Sequence, residues 1–599
     1  MSRRLILGRV GGIIDSCAMG SRVLSSFRKI LRSILPIFDW GRDYSFASAR
    51  GDFLAGLIVL FITVPQVIAY AFLAGLPASA GLYAAVLSLI GYALFGSSRT
   101  LAVGPAAIIA IMTLEAGTKF AVPHTPEYEI FAVKFALLTG GILVLLRLIN
   151  FGAIISFLSH AVVTGFITAA AVLIMMSQVP PIFGLASPAN TSIEGIVLQL
   201  MHDADRANGV VMALSGSAIG ILVFCKYALP RILSALGLSE QWRTSLVRSA
   251  PMYVVVLGIV AVAWLHLDTR SMVPVVGNVP RSLPSISIPT LDLAELTAMM
   301  PSALLTCMVI FLESTSMGAA VASKRREKIE PNQELLALGV ANLGAGMVGG
   351  FPVAGSFART LVNYSAGAVT QVSSLVTAVL LIGTLVTFAP VFYFLPKAVL
   401  SAIIVLSAAQ LIDLATIRKI FAFSVVDAIT FTFTFCAVVA TGVETGILVG
   451  IIVSFVLLIR ASSKPHIAVV GRWGETEHFR NVLRHDVKTS PEVLAVRIDE
   501  SLYFVNTQYI ETFLLNHLAE APAVKHVLLI CTATNFIDSA GLEMLELLSD
   551  NLAEAGVTLH LSEVKGPVMD KLKETDFYEH MHGKVFFTTD IAMRELAGL

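Results

Sequence analysis

The chain of 599 residues contains little charge, and this shortage excludes most classes of soluble protein. Only 14% of its residues are Asp, Glu, Lys or Arg, against about 25% in an ordinary soluble domain. Hydrophobic residues make up 56% of the chain, and its mean hydropathy is +0.81. Such a composition cannot cover a water-exposed surface, so it predicts a protein that crosses the lipid bilayer many times. The formal net charge of zero gives no reason to expect a nucleic-acid partner.

Cysteine is scarce as well, and the motifs of enzymes are missing. The five cysteines are scattered without the spacing of a metal or redox site, and most lie in apolar runs where a small buried residue is ordinary. No nucleophile–base constellation and no phosphate-cradling motif stands out. The sequence therefore predicts neither an enzyme nor a site for a cofactor or a metal.

Apolar runs fall into two sets of seven, each run long enough for a membrane span or for half of a broken one. The first set covers approximately residues 53–73, 82–95, 106–117, 130–148, 154–176, 210–227 and 253–265, and the second covers 301–322, 335–348, 357–368, 375–394, 399–411, 428–440 and 446–458.

The distribution of Lys and Arg sets the orientation. Counting from a cytoplasmic start, basic residues concentrate in the loops of the starting side, so both termini are predicted to be cytoplasmic. Residues 1–51 form a basic segment, either disordered or lying on anionic lipid, and residues 52–460 form the membrane-spanning domain. Because seven is odd, the second set enters the membrane from the opposite side, which predicts an inverted repeat.

Two breaks interrupt apolar sequence at the same place in each set, at Val103–Ala106 and at Phe351–Arg359. A helix that begins inside the bilayer has unpaired N–H groups and about half a positive charge at its start. Two such helices that meet near the midplane would form a binding site for an anion. The sequence therefore predicts a membrane anion transporter.

Three polar residues near these breaks are candidates for the site. Gln66 follows a helix proline in the first span, where a neutral amide can donate to a ligand oxygen. Glu313 in the eighth span must pair, face water or bind a proton, because an unpaired carboxylate is costly at membrane depth. Arg359 can hold an oxyanion with two parallel hydrogen bonds. The alternative is a static buried pair of Glu313 with Arg359.

Two motifs resemble the sulfate permease (SulP) family of anion transporters. Residues Pro65–Pro77 are similar to that family's first span, and Gly355–Gly367 are similar to its tenth. The resemblance implies a polytopic helical fold of 14 spans, in two inverted repeats of seven that are divided into core and gate domains. It further implies an elevator mechanism, a homodimer in the inner or plasma membrane, and a pocket lined by Gln66, Tyr70, Ala106, Glu313, Ser356, Phe357, Ala358 and Arg359.

Family members carry sulfate, bicarbonate, chloride or dicarboxylates, by symport or by exchange. Ala106 stands where several chloride-handling relatives have phenylalanine, which leaves room for an oxyanion such as sulfate. Ala358 stands where many relatives have serine, so more of the binding falls to backbone N–H groups and Arg359. Glu313 resembles the glutamate of proton-coupled relatives. The favoured interpretation is therefore proton-coupled sulfate uptake; bicarbonate, chloride or dicarboxylate transport is the alternative.

After Leu458 the composition changes. Residues 461–490 read as a charged linker and 491–599 as a cytoplasmic α/β domain with strands at 493–498, 502–505 and 527–531 and helices at 507–520, 539–555 and 567–575. Asn535–Leu542 resembles the loop of STAS domains, in which a matching serine can be phosphorylated. Asp538 and Ser539 are therefore either helix caps or a regulatory site. Cytoplasmic proteins are possible partners, and a membrane-tethered anion sensor is a second functional alternative.

Overall fold

The structure is a computed structural model that describes residues 35–41, 44–152, 159–186, 192–237, 239–283 and 285–598. It divides into two compact units, one ending at Ile451 and one beginning at Ile452. Most of the basic segment predicted at residues 1–51 lies outside the described residues.

Each of the fourteen apolar runs overlaps a helix of the described chain. By length and composition, eight helical segments in these residues can cross a membrane unaided, and four shorter apolar helices accompany them. The helices are α1 (Phe46–Leu73), α2 (Ala78–Phe95), α3 (Ala107–Gly117), α4 (Pro126–Leu148), α5 (His160–Ser177), α6 (Gly209–Tyr227), α7 (Ala250–Leu265), α8 (Leu293–Arg325), α9 (Pro331–Met347), α10 (Phe357–Ser365), α11 (Val372–Phe388), α12 (Lys397–Ala409), α13 (Val425–Thr441) and α14 (Val443–Ser463).

Short helices lie in the connections between these spans. They are Ile37–Trp40, Val179–Ile182, Ile193–Asp203, Ala204–Arg206, Leu229–Ala235, Glu240–Arg248, Leu267–Arg270, Val391–Phe394 and Leu414–Phe423.

The two breaks are extended segments that lead into the two shortest of the fourteen helices. Strand β1 (Val103–Gly104) precedes α3, which has 11 residues, and strand β2 (Ala354–Gly355) precedes α10, which has 9. At ~1.5 Å per residue, each helix spans about half of a ~30 Å hydrocarbon layer. The strands pair with each other antiparallel, Val103 with Gly355 and Gly104 with Ala354, so their backbone polar groups are satisfied inside the protein.

Helix packing groups the spans as an inverted repeat requires. Helix α9 packs against α2 and α4, and α11 packs against α1 and α2, whereas α6 packs against α7 and α12, and α5 against α13. Close approach of α4 and α9 depends on glycine: a Cβ at Gly140 would lie 2.7 Å from the Leu343 backbone nitrogen. Helix α12 also contacts α1 and α5, so it faces both groups of helices.

The second unit is a six-stranded sheet with order β4-β3-β5-β6-β7-β8, covered by helices. Strands β5 to β8 run parallel, and β3 joins β5 antiparallel. Its elements are β3 (Ile467–Arg472), β4 (Phe479–Asn481), β5 (Val493–Ile498), α15 (Thr507–Glu520), β6 (His526–Ile530), α16 (Ser539–Glu554), β7 (Thr558–Ser562), α17 (Gly566–Lys573), α18 (Phe577–His580), β8 (Val585–Phe586) and α19 (Thr589–Ala597).

Two predictions for this unit differ from the structure. The range predicted as linker, 461–490, contains β3 and β4, so the sheet begins earlier in the chain than its charged composition indicated. The strand predicted at 502–505 is a turn instead. Asn506 closes it, since its side-chain oxygen accepts from Tyr503 N at 3.2 Å, and only Leu502 forms a bridge, with Ile537.

We expect the stability of the sheet to fall in mild acid because of His560. This buried residue of β7 accepts a hydrogen bond from Lys584 N at 3.0 Å, and burial, followed by the charges of His526 and Lys584, lowers its pKa from 6.5 to about 4. The unfolded chain therefore takes up the proton first, and His560 makes the folded state progressively less stable as pH falls from 6.5 to about 4. Hydrogen exchange of the β7 amides, corrected for intrinsic rates, should be faster at pH 5 than at pH 7.5.

The matched variant His560→Gln removes the titrating group. It is expected to abolish this part of the pH dependence, although it also changes the bond to Lys584. If β7 of the variant and of the parent chain lose protection equally at pH 5, the assignment to His560 is wrong.

Candidate functional site

The two half-helices begin at one cavity and lack side-chain caps. Ala106 and Ser356 are the N-cap residues of α3 and α10, both with extended backbone, and neither side chain accepts a bond from its own helix. The first intrahelical bonds are Ala110 N to Ala106 O and Thr360 N to Ser356 O, each 2.9 Å. The three N–H groups that precede each of these bonds have no carbonyl within their own helix to donate to. Both helix starts are thus available to a ligand that carries negative charge.

Buried polar side chains hold the two breaks in place. Asn342 on α9 both donates to Val353 O at 3.0 Å and accepts from Val353 N at 2.8 Å. Ser314 on α8 accepts from Gly355 N at 2.8 Å, and Thr360 on α10 accepts from Ala102 N at 3.1 Å. Each helix start is therefore fixed by bonds from neighbouring elements as well as by the strand pair.

Arg359 lies between the breaks and joins them. Its side chain is 1% exposed, and its Nη2 donates to Pro105 O at 2.7 Å, immediately before α3. Its Nε and Nη1 have no hydrogen-bond partner among the residues that the structure describes. A guanidinium of α10 therefore adds a full positive charge close to the start of α3, with donors to spare.

Glu313 is buried on α8, 6% exposed, and its Oε2 has no hydrogen-bond partner within the described part of the chain. The static pair between Glu313 and Arg359 that the sequence allowed is not formed, because one guanidinium nitrogen is taken by Pro105 and the other two stay unpartnered. Both groups thus remain available for ligands or protons.

A cavity of about 50 Å³ lies where the half-helices begin; a single water needs ~10–15 Å³. We call it the break cavity. Six of the eight predicted site residues line it: Tyr70, Ala106, Glu313, Ser356, Phe357 and Ala358.

The other two predicted residues lie elsewhere. Gln66 lines a neighbouring cavity, and Arg359 lies behind the helix starts and lines neither cavity. Arg359 was predicted to hold the anion through two parallel hydrogen bonds; its Nη2 donates to Pro105 O, and this role stays a prediction. Phe357 is 47% exposed and lines both cavities.

Residues of α12 and of the segment that follows it also line the break cavity, and they were not predicted from the sequence. Ser407 and Gln410 line the break cavity together with the starts of the half-helices and Tyr70. The available signal was their spacing of three residues within an apolar helix, which places two polar side chains on one face.

Replacement of Gly355 by alanine is expected to disrupt the break without touching the ligand. A Cβ there would lie 3.0 Å from Leu101 Cδ1 and 3.1 Å from Ser314 Cα on the backbone of α8. Overpacking of this kind costs about 1–3 kcal/mol, and it pushes β2 away from the bond that Ser314 accepts. Flux in reconstituted vesicles and thermal stability should both fall. The control Gly141→Ala meets nothing within 4 Å and should leave both unchanged; equal effects would contradict the steric argument.

In the second unit, Asp538 is the N-cap of α16. Its Oδ1 accepts from Gly541 N at 2.8 Å and its Oδ2 from Phe504 N at 3.0 Å. Ser539 is the first helical residue and is exposed. Asp538 therefore caps α16, and Ser539 is exposed beside it.

Comparison with known proteins was made for the whole chain. Residues 49–434 match the sulfate permease family, and residues 484–592 match the STAS domain. The probable sulfate transporter 4.2 of Arabidopsis thaliana is 30% identical over 568 residues, covering 93% of this chain and 82% of the relative. The chloroplastic sulfate transporter 4.1 of the same plant is also 30% identical over 568 residues, with 93% and 81% covered.

The murine Slc26a9 anion transporter, solved in an inward-facing state, superposes with a TM-score of 0.84 at 22% identity and covers 95% of both chains. This likeness confirms the predicted fold class, a 14-span membrane domain of inverted repeats followed by a STAS domain.

Proposed function

Because the chain belongs to the sulfate permease family, we propose that it carries sulfate across the membrane together with protons. Anion transport is common to the sulfate transporters and the anion transporter to which it is similar. The observation that carries the proposal is the meeting of two uncapped helix starts at one cavity beside an unpaired carboxylate. Sulfate and the coupling proton have complementary sites there.

The helix starts supply the attraction for the anion. Two sets of free N–H groups and the nearby charge of Arg359 stabilise a dianion that has lost its water. Tyr70 and Ser356 add hydroxyl groups, while Ala106 and Ala358 occupy little of the cavity. A tetrahedral oxyanion presents oxygens in several directions at once, which suits donors that approach from two opposed helices.

Glu313 supplies the coupling. An ionised carboxylate on the same cavity would repel sulfate, so binding of a proton and binding of the anion favour one another, each to the same extent. Moving a charge across the membrane costs ~2.3 kcal/mol per 100 mV, and a proton carried with sulfate removes one of its two charges. The proton gradient then drives accumulation against the membrane potential.

We also propose how the protein moves during transport, how it assembles and how it is regulated. The helices of the core group, α1–α4 and α8–α11, would carry the break cavity past the gate group in an elevator motion. The protein would act as a homodimer in the inner or plasma membrane with both termini cytoplasmic, and Asp538 and Ser539 would form a regulatory loop that cytoplasmic proteins read.

Two alternatives differ in measurable ways. The same cavity would accept bicarbonate, chloride or a dicarboxylate, by symport or exchange, because the N–H groups at the helix starts attract any anion, whatever its shape. A membrane-tethered anion sensor would bind the anion at the same place without moving it.

The test is flux through the purified full chain in liposomes. Uptake of radiolabelled sulfate should be accelerated by an inward proton gradient, unaffected by a sodium gradient, and competed less well by bicarbonate, chloride or succinate than by unlabelled sulfate. Sulfate binding without flux would identify a sensor. Flux of another anion in preference to sulfate would reject the substrate but keep the site.

A further inference from the structure

A second cavity, of about 300 Å³, adjoins the break cavity. We call it the lateral cavity. It shares Phe357, Ala358, Ser407 and Gln410 with the break cavity, so the two are continuous in their lining. Its remaining wall comes from α1, α6, α7, α10, α12 and the short helix Glu240–Arg248.

Two cations line the lateral cavity, and no carboxylate does. Lys226 lies in the last turn of α6, and Arg248 ends the short helix. Within the described chain neither has a carboxylate oxygen within 4.0 Å. Lys226 contacts the Tyr227 ring at 5.4 Å, and Arg248 Nη1 donates to Ser365 Oγ at 2.6 Å. Among the described residues this is the one hydrogen bond that the Arg248 side chain donates, so its other N–H groups can donate to a ligand.

A buried polar group on the same wall has no partner. Gln66 lines the lateral cavity and is 3% exposed, and its side-chain oxygen accepts no hydrogen bond from any described residue. An unsatisfied buried amide is costly, and a ligand in the cavity would relieve that cost. The amide can turn its NH₂ group toward a negative ligand, because oxygen and nitrogen have nearly the same shape.

From this arrangement we infer that the lateral cavity is a second anion site, which takes an inorganic oxyanion such as sulfate between Arg248, Lys226 and Gln66. This inference rests on the proposed function. Much of the remaining wall is apolar, with Ile62, Leu222 and Ile403 among its residues, so the polar contacts available to an anion there come mainly from Arg248, Lys226 and Gln66. Sulfate held there would lie beside Phe357 and Ala358, the first two residues of α10, which also line the break cavity. The positive-inside rule predicts that Lys226 and Arg248 lie on the cytoplasmic side, so the site serves release or entry on that side.

The experiment measures how many sulfate ions bind to the purified full chain, by equilibrium binding of radiolabelled sulfate at low ionic strength. The unaltered chain should bind two per chain. The double variant Lys226→Gln with Arg248→Gln should lose one of them, and Arg359→Gln should lose the other. A single sulfate that disappears with Arg359→Gln but is unaffected by the double variant overturns the second site and leaves the proposed function intact. Absence of sulfate binding to the unaltered chain overturns both.

Two control variants separate binding from structural effects. Ser365→Ala removes the hydroxyl that Arg248 bonds but keeps both cations, so it should retain two sulfate ions. If it loses one, Arg248 acts as a tether and the inference fails. Arg418→Gln removes an exposed cation that lines neither cavity and should change nothing.

A lipid phosphate offers the same chemistry as sulfate. The measurement of sulfate binding is therefore repeated after phosphatidylglycerol has been added to the detergent micelles that hold the purified chain. Undiminished binding of two sulfate ions supports an ion site. Loss of one at stoichiometric lipid would assign the cavity to a headgroup and overturn the inference.

Discussion

Replacement of Arg359 by alanine is expected to reduce sulfate uptake to the level of empty liposomes. The change removes a full positive charge from behind the helix starts and also removes the bond from Nη2 to Pro105 O, which joins α10 to the first break. A single hydrogen bond from a charged group contributes ~1.5–3 kcal/mol, or about a 10- to 150-fold change in affinity. The variant loses both the positive charge and the hydrogen bond to Pro105 O, so the decrease in sulfate uptake should exceed that range.

Lysine at this position separates the two contributions. Arg359→Lys keeps a charge but cannot donate to Pro105 and to a ligand from one rigid plane. Partial recovery of uptake with a raised KM would indicate that the positive charge contributes most to uptake. No recovery would indicate that the hydrogen bond to Pro105 O contributes most. The control Arg418→Ala removes an exposed arginine of the helix Leu414–Phe423. Full uptake by Arg359→Ala would contradict the site assignment.

Replacement of Glu313 by glutamine is expected to separate sulfate movement from the proton gradient. Glutamine has the shape of the protonated carboxyl but carries no exchangeable charge, so the variant remains in the anion-binding form at every pH. Sulfate exchange across liposomes should continue, while the acceleration of net uptake by an inward proton gradient should disappear. Since the carboxylate lines the break cavity directly, no other residue is expected to replace it.

The matched control is Glu127→Gln, which changes an exposed carboxylate in the first turn of α4. It should keep the full response to the gradient. An unchanged response in Glu313→Gln would exclude Glu313 as the coupling group, and loss of exchange as well as coupling would point to a structural role.

Arg359 and Gln66 could be identified from the sequence as candidate site residues, but their contacts in the folded protein could not be predicted. Both were named from the sequence, because a cation and an amide are conspicuous in apolar surroundings. Their positions were not predictable: Arg359 turns toward Pro105, and Gln66 lines the lateral cavity. Ser407 and Gln410, which line the break cavity, were not predicted because no proline or break in the apolar sequence stands beside them, whereas Gln66 directly follows Pro65.

The sequence alone determined the class of protein, the number and order of the spans, and the position of the two breaks. These follow from the length of apolar runs, the placement of Lys and Arg, and interruptions by glycine and proline, all of which can be recognised within some twenty consecutive residues.

Tertiary structure alone decided the pairing of β1 with β2, the bond that crosses 254 positions from Arg359 to Pro105, the entry of β3 into the sheet, and the division of the polar residues between two cavities. These features depend on which distant segments of the chain come into contact. A local pattern of residues in the sequence does not predict such contacts.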